Sequence, residues 1–148
     1  MNKNKNYPWS QIDLDDLWMG LALMMACRSP LGNACLLVES DKLLYVGLET
    51  HPKYNCNSKM AIAAEIDAIM NCPISYSDAS LFLTTTPSSA GLMAIASISK
   101  VQRLVYFAKN NSDIEKDLTN SPILSKYQGN LNWLRDYVRS LDLLGHKP

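Results

Sequence analysis

Four short strand-like segments, at residues 34–38, 43–47, 81–85 and 101–107, the first two of them apolar throughout, are interleaved with segments of helical periodicity, and this order constrains the fold more than any other feature. The first two runs are separated only by Glu39-Ser40-Asp41-Lys42, which predicts adjacent antiparallel strands joined by a tight turn. Before them, Leu14, Leu17, Trp18, Leu21, Met24 and Met25 recur at the spacing of an amphipathic helix. That helix is expected over 11–27, capped by Ser10 or Asp13 and stopped at Ser29-Pro30. Residues 49–57 have no period and read as a loop. A second helix is expected to start after Asn57 or Ser58 and run through Met60, Ile62, Ile66, Ile69 and Met70 to Pro73. A third, over 91–99, lies between the last two strands, which makes a right-handed parallel crossover. Residues 110–128 are polar, with room for one short helix, and Asn130 is placed to cap a final helix with Leu131, Leu134, Val138 and Leu141 on one stripe. The order predicts an α/β protein: a three-layer α/β/α sandwich with a mixed sheet, one domain over 1–148.

Charge and composition narrow the function. Fourteen Lys and Arg balance fourteen Asp and Glu, so no long-range field draws the chain to nucleic acid or anionic lipid. The apolar stretch 17–27 is shorter than the about 18 residues of a membrane span and follows Asp13, Asp15 and Asp16, so it reads as a core helix. The first ten residues resemble no signal peptide, and a cytoplasmic location is expected. Cys27, Cys35, Cys56 and Cys72 are scattered and read as thiols rather than a disulfide framework. With His51 and His146 the only imidazoles, the chain is poor in zinc ligands.

The element order, Ala63-Ala64-Glu65 at the second helix, the Ala68-Ile69 that follows, and the Pro87 loop before the third helix resemble the cytidine and deoxycytidylate deaminase superfamily. The likeness covers 17–107. Ala26-Cys27-Arg28-Ser29 and the stretch 92–106 look most like the deoxycytidylate branch. The resemblance implies a site in which His-x-Glu on one helix and Pro-Cys-x-x-Cys at the start of the next hold Zn²⁺, with the Glu moving a proton from the metal-bound water to the base. Here the three ligand positions fall on Ala63, Ser88 and Gly91, and only Glu65 stands in place. Two of these residues have no ligating side chain and a Ser hydroxyl is a poor zinc ligand, so no zinc and no cofactor are expected. The family's Gly-x-Asn, which contacts ribose, appears as Gly47-Leu48-Glu49.

Each candidate has a functional and a plain reading. Glu65, among Ile62, Ile66 and Ile69 with Asp67 on the opposite polar side, is either a residual pocket acid that meets a base edge or a relic paired with a buried amide or backbone N–H. Thr84, Thr85, Thr86, Ser88 and Ser89 lead into the third helix, where Ser88 and Ser89 either meet an anion or cap the helix, capping being favoured. Arg28 and Ser29 either contact a nucleotide phosphate or sit at a helix C-terminus. His51, Cys56 and Cys72 suggest a relocated metal site, against the preferred reading of a loop histidine and buried thiols. Trp9, Trp18 and Trp133 read as core or subunit contacts.

The expected function is therefore a catalytically silent, metal-free deaminase-fold protein. It would act by homo-oligomerisation or as partner of an active deaminase, with a pyrimidine nucleotide as the ligand of the residual pocket. The alternative is a zinc-dependent deoxycytidylate or cytidine deaminase with relocated ligands.

Overall fold

The computed structural model describes residues 11–50, 62–97, 100–108 and 123–143. In these stretches the elements are α1 (Gln11–Ala26), β1 (Ala34–Glu39), β2 (Lys42–Leu48), α2 (Ala64–Asn71), β3 (Ala79–Leu83), α3 (Ser89–Ser97), β4 (Val101–Tyr106), β5 (Leu124–Lys126) and α4 (Asn132–Leu143). The sheet order is β2-β1-β3-β4-β5. Strand β1 is antiparallel to β2 and β3, while β3, β4 and β5 run parallel.

The β1–β2 turn forms as its four polar residues predict. Ser40 and Asp41 both take positive φ, at 52° and 62°, which makes a two-residue connection whose twist suits the flanking strands. Strands β1 and β3 alternate between two covered faces. Cys35, Leu37, Leu81, Leu83, Leu104 and Tyr106 meet Ala64, Ala68 and Ile69 of α2 and Ile95 of α3. Leu36, Val38, Phe82 and Val105 meet Met19, Ala22 and Leu23 of α1 on the other side. Burial on both faces explains why these strands read as unbroken apolar runs. Helix α4 joins the α1 layer through Val138, which packs with Ala26 and Ala34.

Three expectations need correction. Helix α1 buries Met19, Ala22, Leu23 and Ala26 most deeply; Trp18, Leu21 and Met25 of the predicted stripe pack half-buried against that core, while Leu17 and Met24 are 58% and 60% exposed. Small Ala22 and Ala26 let the helix lie close to the sheet, and apolar residues on nearly every side of the helix hide its true inner face. Helix α2 starts at Ala64, because Ile62 exchanges backbone hydrogen bonds with Thr50 at 3.1 and 3.2 Å and is extended. Asp67 does not point to a free polar side: it accepts from the Leu48 N–H (2.9 Å) and the Asn71 amide (2.6 Å). Within 110–128, residues 124–126 form an edge strand that three residues of no legible period did not mark; the short helix expected in this stretch falls on 109–122, which lie outside the described residues. Among the described residues, no helix is long and apolar enough to cross a membrane.

Candidate functional site

The carboxyl ends of β3 and β4 lie beside the start of β1, because β1 runs antiparallel to β3 with Cys35 opposite Leu83. The first turns of α2 and α3 converge at this end of the sheet. Gly47 makes the approach of α2 feasible: a Cβ there would lie 2.6 Å from the Ala68 nitrogen and closer still to the Ala64 carbonyl oxygen. Asp67 then ties the first turn of α2 to the end of β2.

This docking carries Glu65, 1% exposed, to the N-terminus of α3. Its Oε1 accepts the Ser88 hydroxyl at 2.7 Å and the Ser88 backbone N–H at 3.2 Å. The Ser88 Oγ in turn accepts the Gly91 N–H at 2.9 Å, as a helix N-cap does. A Cβ on Gly91 would stand 2.5 Å from both Cγ and Oε1 of Glu65. The glutamate side chain thus fills the space that a side chain at 91 would need. Burial pushes the Glu65 carboxyl above its ordinary range and the nearby Glu49 charge adds to this, while the Ser88 hydrogen bonds pull the other way. Cys35, fully buried below, is also raised well above the usual thiol value by burial, with Glu65 adding to the effect.

Residues 65, 88 and 91 meet directly, with Ala63 at the N-cap of α2, and the set does not fit a zinc ion. Ala63 and Gly91 offer no ligating atom, and the Ser88 hydroxyl already serves Glu65 and Gly91. Among the described residues no group of three or more His, Cys, Asp and Glu is placed to hold a metal. His51 and Cys56 lie outside the described residues. Cys72 is half-buried, and its thiol donates to the Ile74 carbonyl at 3.4 Å.

The residues expected to contact a phosphate are either bonded within the protein or exposed. Ser29 is 1% exposed. Its hydroxyl donates to the Glu49 carbonyl (2.6 Å) and accepts from the Leu31 N–H (3.2 Å), closing the turn between α1 and β1. Arg28 and Ser89 are exposed. Ser88 is the cap, and Thr84 is buried with its Oγ1 accepting the Ala34 N–H.

Two residues the sequence did not single out as a pair complete this end of the sheet. Glu49 Oε1 accepts from Asn33 Nδ2 at 2.8 Å, and Asn33 Oδ1 accepts from the Thr84 hydroxyl at 3.3 Å. The Gly47-Leu48-Glu49 departure marked one member, and Asn33, behind Gly32 at φ 77°, had no motif to mark it. At the other end, Arg103 makes a two-pronged ion pair with Asp15 at 2.8 and 2.6 Å. Clefts of about 360 and 230 Å³ flank that pair on the α1 face of the sheet, the face opposite α2 and α3.

No family model and no curated protein matches this chain. Solved structures do. The dCMP deaminase of cyanophage S-TIM5 in complex with dCMP and dUMP aligns with a TM-score of 0.64 at 15% identity, over 80% of this chain and 99% of that one. RibD of Acinetobacter baumannii aligns with a TM-score of 0.61 at 18% identity, over 88% of this chain, which spans 39% of that protein. Guanine deaminase of Bacillus subtilis aligns with a TM-score of 0.52 at 15% identity, over 88% and 93% of the two chains. The fold is the cytidine deaminase-like α/β fold.

Proposed function

We propose that this chain is a deaminase-fold protein that binds without deaminating: metal-free, catalytically silent, and active through self-association or as the partner of a working deaminase. The observation that carries the reading is the closed contact between Glu65, Ser88 and Gly91. A glutamate that moves protons for a metal-bound water needs that water beside it; here its Oε1 is held by Ser88 and its side chain fills the space before Gly91. Without a bound water of lowered pKa, attack on a pyrimidine C4 lacks its nucleophile. Deaminase activity is a property of the structural neighbours and is not carried over to this chain.

Association is supported by large apolar side chains left on the surface, among them Met93 of α3 at 72% exposure and Trp133 of α4 at 67%. The old pocket end of the sheet remains the candidate for a pyrimidine nucleotide or nucleoside. A second reading, a zinc-dependent deoxycytidylate or cytidine deaminase with ligands drawn from elsewhere, is favoured by the retained Glu65 and by the likeness to the phage dCMP deaminase. Ammonia release from dCMP and cytidine, with zinc supplied in the assay, separates the two. No turnover is expected above a buffer control; turnover that disappears in Glu65→Gln would overturn the silent reading.

A further inference from the structure

The α1 face of the sheet is apolar in one row and polar in the next. Leu36, Phe82 and Val105 stand side by side across β1, β3 and β4 and share a core with Met19 and Leu23. One step toward the amino ends of β3 and β4, the row on the same face is Val38, Ser80 and Arg103. Where the apolar row gives way, a cleft of about 230 Å³ opens between the first turns of α1, the β1–β2 turn and the residues that lead into β3. It lies on the face opposite α2 and α3, toward the amino ends of the parallel strands, and so is separate from the surroundings of Glu65.

Both signs of charge meet at this cleft. Arg103 gives two of its five N–H donors to Asp15, at 2.8 and 2.6 Å, and no others among the described residues. That bond takes the end of the guanidinium and holds its plane, while the Nε side offers a second two-pronged edge. Ser80, half-buried, is its neighbour in the β3–β4 register. Two exposed carboxylates, Asp41 and Asp78, also line the cleft, and neither side chain is bonded to another described residue. Their backbones are fixed: Asp41 holds φ 62° in the two-residue turn, and the Asp78 N–H donates to Glu39 Oε2 at 2.7 Å. Trp18 and Phe82, with ring centroids 6.4 Å apart, supply an apolar wall.

We propose that this cleft binds a free amino acid with an apolar side chain. The carboxylate of the ligand would meet Arg103 and the Ser80 hydroxyl, its ammonium Asp41 and Asp78, and its side chain Trp18 and Phe82. Opposite charges lining one small cleft are complementary to a ligand that carries both. A simple anion is opposed by the two aspartates, and a simple cation by Arg103. The volume is below the about 300–1,000 Å³ of a site for a drug-sized molecule, which suits a ligand of amino-acid size. Binding here does not depend on the reading of Glu65.

The test is titration calorimetry on the full chain with L-phenylalanine, N-acetyl-L-phenylalanine, which lacks the ammonium, L-phenylalaninamide, which lacks the carboxylate, and glycine, which lacks the side chain. L-phenylalanine should bind, and each of the other three should bind about tenfold or more weakly. Replacing both acids, Asp41→Asn with Asp78→Asn, should weaken L-phenylalanine about tenfold in a protein that a thermal melt shows to be folded. No binding at about 10 mM L-phenylalanine would overturn the proposal. A derivative lacking one charge that binds as well as the parent would overturn the pairing of both charges, and glycine binding as well would overturn the role of the aromatic wall. Affinity unchanged in the double variant would overturn the placement of the ligand in this cleft.

Discussion

Replacing Gly91 by alanine tests the contact on which the functional reading depends, because the sign of the effect is diagnostic. In an ordinary helix, Gly→Ala stabilises by up to about 1 kcal/mol, since glycine has the larger backbone entropy to lose. At position 91 the new Cβ would be 2.5 Å from Glu65 Cγ and Oε1. Glu65 cannot retreat easily, being 1% exposed beneath the N-terminus of α3. Moving it breaks the two hydrogen bonds from Ser88, each worth about 1–3 kcal/mol when a buried acid is left short of partners. Forcing an extra methyl group into a filled site adds about 1–3 kcal/mol. Offset by the helix gain, Gly91→Ala should destabilise by about 2–4 kcal/mol. Urea denaturation at pH 7 measures this. In a Glu65→Ala background the obstacle is gone, so the same substitution should be neutral or stabilising, and the double-mutant cycle should show a coupling of about 2 kcal/mol or more. A Gly91→Ala protein as stable as the wild type, or more so, would refute the packing of Glu65 against this helix end.

Further outcomes follow from the same geometry. Because burial raises the folded-state pKa of Glu65 above its unfolded value near 4.5, the folded state holds the extra proton, so wild-type stability relative to Glu65→Gln should fall as pH rises above that value, measured by thermal melts from pH 4 to 8. Gly47→Ala should lower stability by about 2–4 kcal/mol in urea denaturation, since the added methyl group meets the backbone of α2. Arg103→Ala, which leaves the 12%-exposed Asp15 carboxylate without its two-pronged partner, should destabilise by about 2 kcal/mol, less than for a fully buried pair because Arg103 is itself 31% exposed. Replacing Ser40-Asp41 by Asn-Gly should stabilise by about 1 kcal/mol, because both residues already hold positive φ.

The strand pattern was legible because β1 and β3 are covered on both faces, and near-continuous burial writes itself into the sequence as apolar runs. The helices were less so. Helix α1 has apolar residues on almost every side, so periodicity could not tell that Met19 and Leu23 face the sheet while Leu17 and Met24 face outward. Ile62 fits a helical stripe by spacing, but its backbone is committed to Thr50, a long-range pairing with no local signal. For the same reason, Asp67 looked like a solvated residue although it holds the Leu48 N–H. In the site, spacing against the superfamily pattern singled out Glu65, Ser88 and Gly91, which lie in contact in the fold. It did not reveal that a missing side chain at 91 makes room for the Glu65 carboxyl, nor that Asn33 braces Glu49. Both depend on contacts between segments far apart in the chain.

Whether the protein works without zinc is read from the metal content of the full chain, purified without chelators and measured by inductively coupled plasma mass spectrometry. Zinc far below one equivalent per chain is expected, unchanged after incubation with zinc and desalting. One tightly held zinc per chain would contradict it.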